Sequence, residues 1–175
     1  PALGHEEIML GALLFFHVFG LSTAMNLAIY MGWEDILVPK PQPEQLLESI
    51  GKYKPTFTPL VPTMYIGILN HANIDRTPMS SIKGCFSGSA PLPVEIIRDF
   101  EKRTGAVIVE GYGLTEGTNA SSINPVHGKI KIGSVGLRWP YQDMKIFITD
   151  AEGKFEREAE TDEIGTVCIK GPNVF

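Results

Sequence analysis

The chain has 175 residues, of which 43% are hydrophobic, and its formal net charge at pH 7 is −5. This length suits one domain with a sizeable core, and the composition is that of a soluble globular protein. No charge block indicates binding to nucleic acid, and no apolar run approaches the ~20 residues of a transmembrane segment.

Strand and helix signals alternate from Ile8 to about Gly117, which favours an α/β fold with a parallel sheet covered by helices. Strands are predicted over residues 36–38, 56–60, 83–86 and 106–109. Helices are predicted over residues 43–54, 62–70 and 93–104. The last helix has the clearest signals, because Pro93 suits its first turn and Gly105 suits its end.

The pattern changes after about Lys129, where no helical period remains. Strands are predicted over residues 144–149 and 165–170, with a turn at residues 150–153. The acidic run at residues 156–163 is predicted to be an exposed loop. We therefore predict an α/β portion over residues 1–125 and a smaller antiparallel, barrel-like β unit over residues 126–175.

The two cysteines, Cys85 and Cys168, both lie in apolar runs typical of strands. This placement favours two reduced, buried thiols in a cytoplasmic protein over a disulfide. The four histidines lack metal-ligand spacing.

The strongest functional signal lies in residues 110–117, which follow the predicted strand at residues 106–109. Residues 111–117 are predicted to form a flexible turn at the carboxyl end of that strand. Open α/β sheets bind ligands where their strands end. Three glycines let the backbone approach a ligand closely, Thr115 can donate to a phosphate, and Glu116 can hold Mg²⁺. These residue types predict a nucleotide with its metal. On spacing alone, an ordinary glycine-rich turn with a solvated glutamate explains the pattern about as well.

Other glycine-rich signatures do not match this segment. A dinucleotide-binding fingerprint requires glycine where Glu116 stands. The three Gly-Lys pairs are followed by Tyr53, Ile130 and Phe155, whereas a phosphate-binding P-loop requires Ser or Thr there. The chain also lacks the G-x-S-x-G motif of serine hydrolases.

Five short segments, at residues 16–20, 87–92, 112–116, 133–136 and 165–172, occur in the order and spacing of one family's motifs. The third, Tyr-Gly-Leu-Thr-Glu, resembles the Y-G-x-T-E signature of the acyl-adenylate-forming enzymes. These include acyl-CoA ligases, luciferases and the adenylation domains of peptide synthetases. The second segment resembles S-G-[GS]-A-P-L, and the first resembles the F-H-x-F-G of fatty acyl-CoA and aryl-CoA ligases. The last two resemble G-x-x-G and G-E-L-x-I-x-G-P.

The resemblance implies an ATP or AMP site built from two of these segments. Ser89, Ala90 and Pro91 would form one wall of the adenine site, and Tyr112 would stack on the base. Nucleotide contacts are implied for four neighbouring residues as well: Glu110, Gly111, Gly113 and Leu114.

The resemblance also implies catalytic roles for three residues. Thr115 would bind the α-phosphate, and Glu116 would hold Mg²⁺, so that phosphate charge is reduced during attack by a carboxylate. His17 would lie near the acyl carboxylate, although a lone histidine after an apolar run is also compatible with a hydrogen-bonded core residue. The acyl group would contact His17 and three further residues: Gly88, Gly113 and Leu114.

The function that the resemblance implies is an ATP-dependent, AMP-forming carboxylic acid–CoA ligase, most like the long-chain fatty acyl-CoA ligases. CoA would be the second substrate, after formation of an acyl-adenylate. Two alternatives stay open, namely an adenylation domain that loads a carrier protein and a non-catalytic nucleotide-binding or assembly module. The family's phosphate loop, ribose-binding Asp and catalytic Lys have no counterpart in the chain. We therefore expect an internal fragment of a larger ligase, inactive alone.

Overall fold

The computed structural model describes residue 4, residues 6–125 and residues 128–175. Within these ranges the main sheet comprises β1 (Ile8–Gly11), β2 (Glu34–Leu37), β3 (Phe57–Leu60), β4 (Gly84–Ser87), β5 (Ile108–Leu114), β6 (Asn119–Ile123) and β7 (Leu137–Arg138). Their order across the sheet is β2-β1-β3-β4-β5-β6-β7. The first five pair in parallel, and β6 and β7 are antiparallel additions at one edge. The predicted α/β fold is confirmed.

Helices cover both faces of the sheet. The helices are α1 (Leu27–Met31), α2 (Pro43–Tyr53), α3 (Pro62–Leu69) and α4 (Val94–Thr104). The last three match the predicted helices and share one core cluster with Leu10 and Cys85 of the strands. The neighbouring strand residues Met9 and Phe86 belong to a second cluster that includes residues of α1, because successive strand residues point to opposite faces.

The helical stretch at residues 20–31 was not predicted. It begins as a π-helical segment, Gly20–Asn26, and continues directly into α1. Phe19 precedes it and makes no side-chain capping hydrogen bond, so the sequence lacks the usual polar start signal. In the described ranges, no helix has both the length and the apolar character needed to cross a membrane.

β5 differs from the predicted strand, which was expected to end at Val109. It continues to Leu114, because its second half pairs with β6 in an antiparallel register that shifts between Tyr112 and Gly113. A Cβ atom at Gly113 would lie 1.7 Å from the Asn119 carbonyl oxygen. The prediction of a flexible turn over residues 111–117 was therefore wrong for its first four residues, where Gly113 allows two strands to approach closely.

Three further strands in the described residues form a second, antiparallel sheet: β8 (Asp143–Thr149), β9 (Phe155–Glu158) and β10 (Thr166–Lys170), in the order β10-β8-β9. This is the predicted antiparallel unit, seen as an open three-stranded sheet. The loop predicted at residues 156–163 was wrong for its first three residues, which belong to β9. β9 is stabilised by Phe155, which packs edge-on against Phe147 with ring centroids 4.9 Å apart. The division into residues 1–125 and 126–175 stays a prediction. β7 lies in the second of these ranges but pairs with β6 of the main sheet.

Both cysteines are unpaired, as predicted. Cys85 is fully buried, whereas Cys168 is only half-buried, so the prediction of two buried thiols was wrong for Cys168. Burial raises the pKa of the Cys85 thiol to about 12, although hydrogen bonds from Thr58 and Tyr65 oppose that shift. Cys85 therefore stays protonated and serves as a packing residue.

Candidate functional site

A cavity of about 420 Å³ opens between residues 17–27 and the ends of β4, β5 and β6. Three of the five predicted motif segments contribute residues to its wall, and Trp139 adds a further side chain. Among the described residues that line it, none is Lys, Arg, Asp or Glu. The cavity is therefore a largely apolar space beside the predicted nucleotide site.

Most of the predicted site residues line this one cavity. They are His17, Gly88, Ser89, Gly111, Tyr112, Gly113, Leu114 and Thr115. Four predicted residues do not line it, namely Ala90, Pro91, Glu110 and Glu116. Ala90, Pro91 and Glu116 are exposed, so they remain accessible to a ligand that extends out of the cavity.

Glu110 is engaged with another motif. Its carboxylate accepts a hydrogen bond from the Gly133 N–H at 3.0 Å, and its carbonyl oxygen accepts one from the Asn124 N–H at 3.0 Å. Asn124 is fully buried, and its side-chain oxygen accepts a hydrogen bond from the Lys131 N–H at 3.0 Å. Glu110 and Asn124 thus connect β5 to residues 131–133 by hydrogen bonds. The predicted contact between Glu110 and the nucleotide stays a prediction.

His17 is exposed and lines the cavity, so the alternative of a core histidine is wrong. Its Nδ1 accepts a hydrogen bond from the Phe19 N–H at 3.2 Å. The Leu14 carbonyl oxygen accepts a hydrogen bond from the His17 N–H at 3.0 Å, and the His17 carbonyl accepts one from Leu21. These bonds fix the ring and assign Nδ1 as an acceptor, so Nε2 is the nitrogen left for a ligand.

The residues Thr115–Gly117 form a 3₁₀ turn between β5 and β6. Thr115 lines the cavity, and Glu116 follows it as an exposed carboxylate. Thr118 and Asn119 then reverse the chain with φ angles of 53° and 100°, a conformation that residues other than glycine rarely adopt. The turn therefore places the Thr115 hydroxyl at the cavity, and the next residue in the chain, Glu116, carries an exposed carboxylate.

This turn fits the implied metal. No three His, Cys, Asp or Glu side chains gather into a metal cluster among the described residues. Mg²⁺ does not require such a cluster, since it commonly binds one or two carboxylates together with water and substrate phosphates. The single exposed carboxylate of Glu116, next to the Thr115 hydroxyl, has the required chemistry.

Two of the cavity residues that were not predicted as ligand contacts carry buried hydroxyl groups. Ser87 and Ser122 are almost fully buried in the cavity wall, and within the described part of the chain their hydroxyl oxygens have no hydrogen-bond partner. A buried hydroxyl without a partner is unfavourable, so polar atoms of a bound ligand would stabilise both. Ser87 belongs to a recognised motif, but Ser122 lies on β6, which no sequence signal indicated.

Apolar side chains form the rest of the wall. Phe86 lines the cavity with its ring centroid 4.9 Å from that of Phe57, which also lines it. From the opposite face of the sheet, the Tyr65 hydroxyl donates to the Phe86 carbonyl oxygen at 2.8 Å. Leu27 and Trp139 add further apolar surface. The inner wall is thus built for a nonpolar group.

Comparison with known proteins agrees with this geometry. The sequence profile of the AMP-binding enzymes matches residues 1–175. The chain belongs to the AMP-binding enzyme family. The resemblance found in its motifs is therefore confirmed.

Named members of this AMP-binding family match over most of the chain. A long-chain-fatty-acid–CoA ligase of Bacillus subtilis (strain 168) is 46% identical over 169 residues, which cover 97% of this chain and 30% of that protein. The chain thus spans about 30% of the length of the curated relatives it matches.

Solved structures of CoA ligases share the fold. ATP-bound MatB from Rhodopseudomonas palustris superposes with a TM-score of 0.87 at 30% identity, covering 98% of this chain and 33% of that one. The anthranilate CoA ligase AuaEII, in complex with anthranoyl-AMP, gives a TM-score of 0.88 at 26% identity with the same coverage. The architecture described above is therefore that of AMP-forming ligases.

Proposed function

We propose that this chain forms part of an ATP-dependent, AMP-forming carboxylic acid–CoA ligase and supplies its acyl pocket and part of its nucleotide site. One observation carries the proposal. A single apolar cavity is lined by residues from three separate motif segments, and the Thr115–Gly117 turn lies at that cavity. An acid and a nucleotide that bind there would meet beside a hydroxyl and a carboxylate.

The proposed reaction has two steps. The substrate carboxylate attacks the α-phosphorus of ATP, a new P–O bond forms, and pyrophosphate leaves with the electrons of the bond that breaks. The CoA thiolate then attacks the acyl carbonyl, and AMP leaves. Both steps depend on holding the reactants in line and on reducing the repulsion between negative charges.

Residues at the turn would bind the nucleotide. Tyr112 lines the cavity and would present its ring to the adenine, while Ser89, with φ of 70°, turns the chain so that Ala90 and Pro91 are exposed next to the cavity. The Thr115 hydroxyl would donate a hydrogen bond to an α-phosphate oxygen. Mg²⁺ bound by Glu116 would supply positive charge next to the phosphates.

The cavity would hold the acyl group. Its wall carries no charged side chain among the described residues, and its aromatic and aliphatic part suits a nonpolar acid. His17 would donate from Nε2 to the substrate carboxylate, and Gly88, Gly113 and Leu114 would contact the chain that follows it. A Cβ atom at Gly88 would lie 3.2 Å from the Phe19 ring, so any larger residue there would narrow the pocket. We propose a fatty acid as the substrate, since a long-chain-fatty-acid–CoA ligase is 46% identical.

The test is acid-dependent exchange of labelled pyrophosphate into ATP, measured on the complete enzyme with fatty and aromatic acids. We expect exchange with a fatty acid and, after addition of CoA, formation of its thioester. Exchange followed by transfer only to a carrier protein would indicate the carrier-loading alternative. Nucleotide binding without exchange for any acid would indicate the non-catalytic alternative and contradict the proposal.

Two further expectations belong to the proposal. The isolated 175-residue chain should show negligible turnover, because the family's catalytic Lys has no counterpart in it. Robust turnover from the isolated chain would contradict this. The unpaired thiols of Cys85 and Cys168 support a cytoplasmic location for the enzyme.

A further inference from the structure

The segment that follows β10, residues 171–175, binds the turn that carries Thr115 and Glu116. After β10 the chain returns to this turn, and the Asn173 side-chain amide donates to the Gly117 carbonyl oxygen. In the opposite direction, the Thr118 hydroxyl donates to the Asn173 carbonyl oxygen. The Phe175 N–H donates to the Glu116 carbonyl oxygen at 3.1 Å. Two segments more than 50 residues apart in sequence are thus joined by three hydrogen bonds.

The turn needs external support of this kind. It is a single 3₁₀ turn, in which the Thr118 N–H donates to the Thr115 carbonyl oxygen at 3.0 Å. Thr118 and Asn119 follow in left-handed conformations, which are strained for residues with a Cβ atom. Such conformations persist only where surrounding contacts hold them.

The Asn173 side chain lies directly against the turn backbone. Gly117 is buried, and a Cβ atom there would be 3.6 Å from the Asn173 Nδ2 atom. Asn173 is half-buried, whereas the side chains that the turn presents, Thr115 and Glu116, are exposed. Asn173 therefore contacts the backbone from one side while both functional side chains stay free for a ligand.

We propose that Asn173 is a positioning residue for the adenylation step. By holding the Gly117 carbonyl and the Thr118 hydroxyl, it orients the Thr115 hydroxyl and the Glu116 carboxylate toward the nucleotide and its metal. This inference rests on the proposed function. It assigns part of the nucleotide site's geometry to the segment after β10, none of whose described residues lines the cavity.

The test uses Asn173→Asp in the complete enzyme, because this change keeps the shape and replaces the donor with an acceptor that repels the Gly117 carbonyl. Val174→Ala is the matched control, since Val174 is exposed in the same segment. The readouts are the affinity for Mg²⁺–ATP by calorimetry, the KM values for ATP and for acid in pyrophosphate exchange, and amide hydrogen exchange at residues 115–118.

We expect Asn173→Asp to weaken Mg²⁺–ATP binding and to raise the KM for ATP, each about tenfold, with the KM for acid unchanged. Hydrogen exchange at residues 115–118 should become faster. Val174→Ala should match the wild type. Wild-type ATP affinity and exchange kinetics in Asn173→Asp would overturn the inference, as would equal losses for ATP and acid, which indicate general destabilisation.

A second pair of variants keeps the inference testable if Asn173→Asp does not fold. Thr118→Ser keeps the hydroxyl that donates to the Asn173 carbonyl, and Thr118→Ala removes it. We expect weaker Mg²⁺–ATP binding in Thr118→Ala only, whereas equal affinities would overturn the inference. Failure of the wild-type enzyme to exchange pyrophosphate with any acid would instead contradict the proposed function itself.

Discussion

The Asn119 side-chain amide donates a hydrogen bond to the Thr23 hydroxyl at 2.8 Å, across 96 positions of sequence. Asn119 begins β6, and Thr23 lies in the helical segment Gly20–Asn26, so this bond joins two parts of the cavity wall that are distant in sequence. It also anchors a residue whose φ of 100° is unfavourable. The width of the cavity therefore depends on a polar contact that no motif includes.

Replacing Thr23 with Val should loosen this wall. The change keeps the side-chain shape but removes the hydroxyl, which leaves the Asn119 amide without its acceptor. We expect stability to fall by about 1 kcal/mol and the KM for acid to rise several-fold. Urea unfolding and acid titrations of pyrophosphate exchange measure the two effects. Thr63→Val, at an exposed helical position, is the control, and equal KM values in both variants would contradict the role of the bond.

Gly113 should not tolerate a side chain. A Cβ atom there would overlap the Asn119 carbonyl at 1.7 Å, so Gly113→Ala must push β5 and β6 apart. We expect a loss of about 3 kcal/mol or more in the free energy of unfolding. At Gly153, with φ of 81°, an added Cβ atom would meet no other atom within 4 Å, so alanine should cost only about 1 kcal/mol. Similar melting temperatures for the two variants would show that strand separation is not the cause.

The buried carboxylate of Glu7 predicts a pH dependence of stability. Burial alone would raise its pKa, but hydrogen bonds from Lys83, Thr56 and the Gly4 N–H together lower the pKa from 4.5 to about 2. Because the folded-state pKa is lowered, the stabilisation is fully present above pH 4.5 and is lost as the pH falls toward 2. Its size is of the order of 1 kcal/mol, because the Lys83 side chain is 39% exposed and solvent screens the ion pair.

Glu7→Gln isolates this contribution from that of the other carboxylates. We expect the stability difference between wild type and variant to be largest above pH 4.5 and to shrink steadily below it. Urea unfolding at a series of pH values measures this difference. A difference that stays constant across this acidic range would show that the ion pair with Lys83 does not stabilise the fold.

The sequence predicted the parallel core of the fold well, because its signals there are local. Apolar residues on one face indicated α2 and α4, and a proline at the start indicated α3 and α4. The pairing of β5 with β6 was missed, since Asn119–Ile123 has no strong strand alternation and becomes a strand only through contact with Gly111–Leu114. β9 was missed for a similar reason, because packing of Phe155 on Phe147 outweighs the acidic residues around it.

The candidate site divides in the same way. Tyr112 and Thr115 were predicted because they lie in a contiguous motif, and the structure places both at the cavity. Ser122 and Thr23 have no motif, and they reach the cavity only because the sheet and the helical stretch 20–31 bring them there. Sequence motifs thus indicated eight residues of the cavity wall, whereas Thr23 and Ser122 required the tertiary structure.

The Glu116 carboxylate is the group on which the proposed adenylation site depends most, and Glu116→Gln in the complete enzyme tests that site most directly. Glu116 is exposed, so its replacement should leave the fold and the melting temperature unchanged. We expect acid-dependent pyrophosphate exchange to fall at least about 100-fold, while Glu48→Gln, an exposed glutamate on α2, keeps wild-type activity. A Glu116→Gln enzyme that exchanges pyrophosphate at the wild-type rate would contradict the proposed site.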